Sequence, residues 1–240
     1  MQQRSLEWFQ ARAGRVTGSR AYDAVAMLKS GKGETAARRD LRTALVIERI
    51  RGGPLEGPND YASPEMLTGL AREAEAIRVY EARTGELVTP CAFIAKGDDL
   101  GMSPDGLVGR AGMVEVKCPK PSTHYGYLRT CGEGPERSII PEDYRPQVAH
   151  GLHVTGRAWC DFVSYVPEWM YPLDLLVVRV GRFSQEQDEY VAKLEGFLTE
   201  LRREEAEVRG VLDALALSTV TRWEGLPAVD LWSASLEGRV

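Results

Sequence analysis

The sequence predicts an α/β (α+β) fold, a mixed central β-sheet flanked by helices. Short apolar, β-branched runs near Thr89–Lys96, Leu100–Val108, Met113–Lys117, Ala158–Val166 and Asp174–Val180 read as strands. Segments with helical apolar spacing surround them, above all Pro64–Thr84 and a charged, amphipathic stretch over Ser184–Leu217. Gly and Pro punctuate the joins.

The elements follow in order. A short helix is expected over Leu6–Ala13, a second over Ser19–Lys29 and a basic helix over Thr35–Arg51. A Gly- and Pro-rich loop, Gly52–Pro64, leads to the Pro64–Thr84 helix, which Gly85 ends. The residues from Pro119 to Pro141 read as irregular, with a mobile tip at 131–135. A helix near Pro141–Val154 precedes the last two strands, and Pro146 leaves its start open. No internal repeat or low-complexity tract is present. The 240 residues read as one domain, residues 1–52 forming a basic N-terminal region and about 184–217 a long C-terminal helix.

Composition alone does not point to nucleic acid, since the net charge is −5. The charge is uneven, however. Residues 1–52 hold eleven Lys and Arg against five Asp and Glu, which leaves the remainder at −11. A basic end on an acidic body suits local phosphate contacts. No apolar run reaches membrane-spanning length and no signal peptide is visible, so a cytoplasmic protein is expected. Cys91, Cys118, Cys131 and Cys160 are at least thirteen positions apart and form no C-x-x-C pair. They read as reduced structural thiols rather than cluster ligands.

The segment GMSPDGLVGRAGMVEVKCP carries the chemistry. As a hairpin turning at Gly109–Gly112, it sets Asp105 opposite Glu115, and strand alternation puts Lys117 on the face of Glu115. Two carboxylates about 4 Å apart repel by roughly 4 kcal/mol at an effective dielectric near 20. A shared proton relieves this, and so does a hard divalent cation, for which an all-oxygen site suits Mg²⁺ or Mn²⁺. Glu73 supplies a third acid. It lies on the apolar stripe of Met66, Leu70, Ile77 and Tyr80, where an unpaired charge is costly.

Two further groups stand out. In Val16-Thr17-Gly18-Ser19-Arg20, Thr17 or Ser19 is placed to cap a helix, and hydroxyls with nearby Arg also suit a phosphate. The helix near Pro141–Val154 holds Tyr144, Gln147, His150 and His153. The histidines are spaced i, i+3 without a carboxylate partner nearby in sequence, which argues against a metal pair.

Together these segments resemble the phage lambda exonuclease and YqaJ-type viral recombinase family, on a restriction-endonuclease-like PD-(D/E)XK core. The resemblance runs from Trp8 to about Pro167, through WFQARAGRVTGSR, MLTGLAREAEAIRVYEARTG, the SPDG…VEVKCP hairpin and YRPQVAHGLHVTG with WCDFVSYVPE. It implies a Mg²⁺-dependent 5′→3′ exonuclease that digests one strand of duplex DNA from a 5′-phosphorylated end and leaves 3′ single-stranded tails for phage-type recombination. In that reading Asp105, Glu115, the Val116 carbonyl and Glu73 hold metal, Lys117 serves the nucleophile and transition state, and Gln147 orients water. Arg12, Ser19, Thr17 and Tyr144 meet the 5′-phosphate or DNA. The resemblance also implies a ring-shaped homotrimer, a single-strand annealing protein as partner and a phage or prophage origin. An endonuclease on the same core and a non-catalytic DNA-end-binding adaptor are the alternatives.

Overall fold

The computed structural model describes residues 2–28, 30, 33–55, 64–133, 138–182 and 184–224. It has the α/β class expected, a mixed sheet with helices on both faces. Two compact units divide the chain, Met1–Leu201 and Arg202–Val240.

In the first unit, five strands form the main sheet: β2 (Val88–Thr89), β5 (Gly106–Val108), β6 (Gly112–Lys117), β9 (Trp159–Tyr165) and β10 (Leu175–Gly181). Their order is β10-β9-β6-β5-β2, with β6 and β9 parallel and the other neighbours antiparallel. A three-stranded sheet joins β1 (Val16–Thr17), β4 (Leu100–Met102) and β3 (Ile94–Lys96) in the order β1-β4-β3. Two expected strands are therefore each split between sheets. Thr89–Lys96 breaks at Pro90 into β2 and β3, and Leu100–Val108 breaks at Ser103-Pro104-Asp105 into β4 and β5. Proline has no N–H for a ladder, so each break falls where pairing must lapse.

The central strand is covered on both faces, which explains its nearly unbroken apolar sequence. Met113 belongs to one core with Cys160, Phe162, Leu152, Leu194 and Phe197. Val114 and Val116 belong to a second core with Ala76, Tyr80, Val163 and Tyr165. The helix α4 (Pro64–Thr84) covers this second core through Ala76 and Tyr80. The side chains of Met66 and Leu70 lie outside the described residues. Asp161 on β9 ties α4 to the sheet: it accepts from Tyr80 Oη at 2.6 Å and from Arg179 Nε and Nη2 at 2.8 Å each.

On the other face, α6 (Arg145–Thr155) packs on β4 and β9, preceded by a 3₁₀ turn at Glu142–Tyr144. The helix thus begins later than the sequence suggested, and Pro146 falls in its first turn, where no N–H is required. The residues expected to be irregular include α5 (Pro121–Thr130), with Pro121 opening it, and a small ladder of β7 (Gly132–Glu133) with β8 (Ser138–Ile139). Residues 134 and 135 of the expected mobile tip lie outside the described residues. Buried His124 fixes α5, facing Ser164 Oγ at 2.7 Å and the Leu173 carbonyl at 2.8 Å.

At the N-terminus, α1 (Leu6–Arg12) is capped by Ser5, whose hydroxyl accepts from the Trp8 N–H. The expected Ser19–Lys29 helix shrinks to a 3₁₀ turn, Gly18–Arg20, and α2 (Ala21–Val25). α3 (Ala36–Arg51) starts at its Thr35 cap and ends at Gly52, left-handed at φ 74°. Arg38 and Arg42 on α3 share Glu34 and Glu200. The last helix, α7, runs Gln185–Glu224, beyond its expected end at Leu217. Within the second unit it exposes Val208, Val211, Leu212 and Leu215. All four cysteines are free thiols. No helix among the described residues is long and apolar enough to cross a membrane.

Candidate active site

Asp105 stands at the corner between the two sheets. The β5–β6 ladder ends at the pair Gly106↔Val114, so Asp105 lies one step further on, opposite Glu115. Instead of ladder pairing it uses its side chain: Oδ2 accepts the Val116 N–H at 2.6 Å. The corner is held from a distance in sequence. Trp8 Nε1 donates to Ser103 Oγ at 2.8 Å and to the Ala92 carbonyl at 3.1 Å. Gln3 Nε2 donates to the Cys91 carbonyl at 2.8 Å and the Pro104 carbonyl at 3.4 Å. Trp8 therefore packs and orders the corner.

Glu115 is 1 % exposed. Its Oε1 accepts from Lys117 Nζ and from Gln147 Nε2, both at 2.5 Å. The other oxygen, Oε2, is buried with no hydrogen-bond partner. Gln147 arrives from α6 and Lys117 from the same strand. The Lys117 ammonium also sits 4.9 Å over the ring of Tyr144, which tilts against Phe162. Tyr144 thus stands at the Lys117 ammonium.

The acids load one another. Burial raises the Asp105 carboxyl well above its ordinary range, Glu115 and Glu73 add to this, and Lys117 and the Val116 N–H only partly offset it. Burial also raises Glu73, helped by Glu115, while Arg4 and Lys117 pull it back. Burial disfavours the Lys117 ammonium, but Glu115 and Asp105 outweigh it and raise its pKa above the ordinary lysine value. Glu73 from α4 and Gln147 from α6 thus act on a central strand from its two covering layers.

This arrangement suits a hard cation. An orphaned, buried carboxylate oxygen beside a second carboxylate is a ligand in search of positive charge. Among the described residues no three His, Cys, Asp or Glu side chains close around one point. The fit rests on Asp105 and Glu115, with Glu73 acting from farther out.

The N-terminal cluster is separate but adjoining. Arg12 Nη2 donates to Thr17 Oγ1 at 3.1 Å and Ser19 Oγ at 3.2 Å, and its guanidinium lies 4.0 Å over Trp8. Neither hydroxyl caps a helix, since the 3₁₀ turn and α2 both lack a side-chain cap bond. The arginine takes the hydroxyls that capping would use. Gly18 sets this turn against the acid site: a Cβ there would lie 2.4 Å from Met102 Sδ and 3.6 Å from Gln147 Cγ. Arg20 is a structural partner, clamped by buried Glu48 at 3.0 and 3.2 Å.

The two histidines stay out of the site. His150 faces Tyr190 Oη at 2.8 Å and the Gly101 carbonyl at 3.0 Å, and His153 faces Lys96 Nζ at 2.9 Å. Arg4 is the residue that sequence reasoning missed. Nothing in its neighbours marks its backbone, which is left-handed at φ 68°.

The family model of the YqaJ-like viral recombinase domain matches residues 7–158. Among solved structures, the alkaline exonuclease LHK-Exo of Laribacter hongkongensis is 31 % identical with a TM-score of 0.72, over 88 % of this chain and 100 % of that one. Its complex with dAMP gives 30 % and 0.72 over the same shares. A phage-related exonuclease of Haemophilus somnus 129PT shares the fold, at 10 % identity and a TM-score of 0.58 over 82 % and 96 %. Comparison with curated proteins gives no significant match. The fold, with its restriction-endonuclease-like core, and the match over residues 7–158 place this chain in the YqaJ-like viral recombinase family.

Proposed function

We propose that the chain is a Mg²⁺-dependent 5′→3′ exodeoxyribonuclease that resects one strand of duplex DNA from a 5′-phosphorylated end. Family membership and likeness to an alkaline exonuclease support a nuclease role in recombination. The observation that carries the metal-dependent reading is the buried, unpartnered Oε2 of Glu115 beside Asp105.

Asp105, Glu115 and the Val116 carbonyl would hold the cation, with Glu73 supporting them. A divalent ion, when bound, acidifies water and offsets charge building on the phosphoryl oxygens. Gln147 keeps Glu115 aimed through the bond to Oε1 and presents a neutral amide that orients water. Lys117, paired as an ammonium with Glu115, faces the charge that grows in the transition state. Water adds to phosphorus and the bond to the 3′ oxygen breaks, so the released mononucleotide takes a proton on that oxygen. The shortened strand again ends in a 5′-phosphate.

That product is the feature Arg12, Ser19 and Thr17 are suited to read. A terminal monophosphate carries about half to one charge more than a diester at neutral pH, and a guanidinium beside two hydroxyls can take it. The turn that carries the hydroxyls rests on Gln147 through Gly18. A ring-shaped homotrimer around DNA and an annealing protein that coats the 3′ tail belong to the same proposal.

The experiment is digestion of linear duplex with 5′-phosphate or 5′-hydroxyl ends and of covalently closed circles, with and without Mg²⁺. The reading expects Mg²⁺-dependent release of 5′-mononucleotides, faster from phosphorylated ends. Cutting of closed circles would favour an endonuclease. Binding without cleavage would favour an adaptor.

A further inference from the structure

Arg4 combines three properties that rarely meet in one residue. Its backbone is left-handed at φ 68°, the described non-glycine residue with positive φ. That region is unfavourable for a side chain with a Cβ, and such strain persists where the surroundings enforce it. The enforcement is visible on both sides. Gln3 is tied to the Pro104 and Cys91 carbonyls, Ser5 N–H donates to the Gln2 carbonyl, and Trp8 is tied to Ser103 and Ala92. The segment around Arg4 is therefore clamped to the corner that carries Asp105.

The guanidinium itself is idle. Among the described residues no hydrogen bond or ion pair engages Arg4, whereas Arg12, Arg15, Arg20, Arg38 and Arg49 all donate to protein acceptors. It is half-buried, and its charge is felt by Glu73. A strained backbone that presents an unspent cation within reach of the Glu73 charge has no structural return. Solvation or a protein carboxylate would be easier to reach from an ordinary conformation.

We propose that Arg4 is a substrate-binding residue, its guanidinium contacting a phosphate of the DNA strand on the Asp105–Glu73 side of the site. The inference rests on the nuclease reading above and deepens it. It adds to the site a second cation that Glu73 feels, beside Lys117. A guanidinium there holds the backbone against two carboxylates that would otherwise repel it.

The test is Arg4→Gly, because glycine relieves the left-handed backbone as it removes the cation. The melting temperature should stay level or rise by about 2–4 °C, while kcat/KM on 5′-phosphorylated linear duplex falls at least about tenfold. The log–log salt dependence of duplex binding, measured without divalent cation, should flatten by about 0.9, one phosphate contact. Arg4→Lys should recover part of both losses. Wild-type kcat/KM in Arg4→Gly overturns the proposal, as does an unchanged salt slope. A lowered melting temperature together with lost activity assigns Arg4 to structure and overturns it as well. Absence of cleavage by the wild type would instead sink the nuclease reading, so the two failures are distinct.

Discussion

Gly18 lies against Gln147 so closely that a Cβ on the glycine would stand 3.6 Å from Gln147 Cγ. The turn bearing Thr17 and Ser19 thus touches the side chain that donates to Glu115. Two groups more than a hundred residues apart in sequence share one wall.

Gly18→Ala should disturb both. The new methyl meets buried Met102 at Sδ, 2.4 Å away, and overpacking of this kind costs about 1–3 kcal/mol. Thermal melting should show that loss, and digestion of linear duplex should slow at least about tenfold as the turn shifts away from Met102 and carries Thr17 and Ser19 with it. Adding Met102→Val should restore most of the stability. If Gly18→Ala keeps the wild-type rate, the shared wall is not functional.

Gln147→Ala removes one of two donors from a buried carboxylate, a change worth about 1–3 kcal/mol. Single-turnover cleavage should fall by about 10–100-fold with duplex affinity unchanged. Gln147→Glu should fall further, since it adds an acid to a site already crowded with them. A rise in activity for the glutamate variant would contradict the electrostatics described above.

Asp105→Asn should separate stability from activity. Asparagine keeps an acceptor for the Val116 N–H and removes repulsion with Glu115 and Glu73. The metal-free protein should melt about 2–4 °C higher, a shift of roughly 1 kcal/mol, yet cleave no DNA. The Mg²⁺-induced rise in melting temperature expected of the wild type should disappear. A lower melting temperature in metal-free buffer would show that the acids are not strained against one another.

Acid should expose His150. Burial lowers its pKa to about 4 from the ordinary 6.5. The unfolded chain takes up this proton below about 6.5, the folded one only near 4. The contribution is therefore complete above pH 6.5 and is lost as pH falls toward 4, about 3 kcal/mol in all. Denaturant unfolding at pH 7.5, 6, 5 and 4 should show a shallower pH slope in His150→Gln than in the wild type. Parallel slopes would mean that the imidazole is not excluded from water.

Much of this architecture was legible. The facing of Asp105 and Glu115 followed from alternation and turn length. The strand breaks at Pro90 and Pro104 were not legible, because a proline permits a corner but Trp8 and Gln3 are what fix it, across more than eighty residues of sequence. α5 was hidden because Pro121 and Gly126 read as loop, while its support comes from His124 reaching Ser164 and Leu173. The hydroxyls of Thr17 and Ser19 looked like caps because capping is a local pattern and Arg12 is a tertiary partner. Arg4 gave no signal at all, since nothing local announces a left-handed arginine.

The corner at Ser103-Pro104-Asp105 also sets where this chain can change length. Glu115 belongs to a strand and Asp105 to the bend one step beyond the β5–β6 ladder, so the first acid is held by its side-chain bond to the Val116 N–H and not by a ladder bond of its own. One residue inserted between Asp105 and Gly106 would carry the first acid off the Val116 N–H and leave the β5–β6 ladder intact. The same insertion at Arg110–Ala111 would lengthen an exposed turn and leave both acids where they are. Tolerance to insertion should therefore be opposite at the two ends of β5, a three-residue strand.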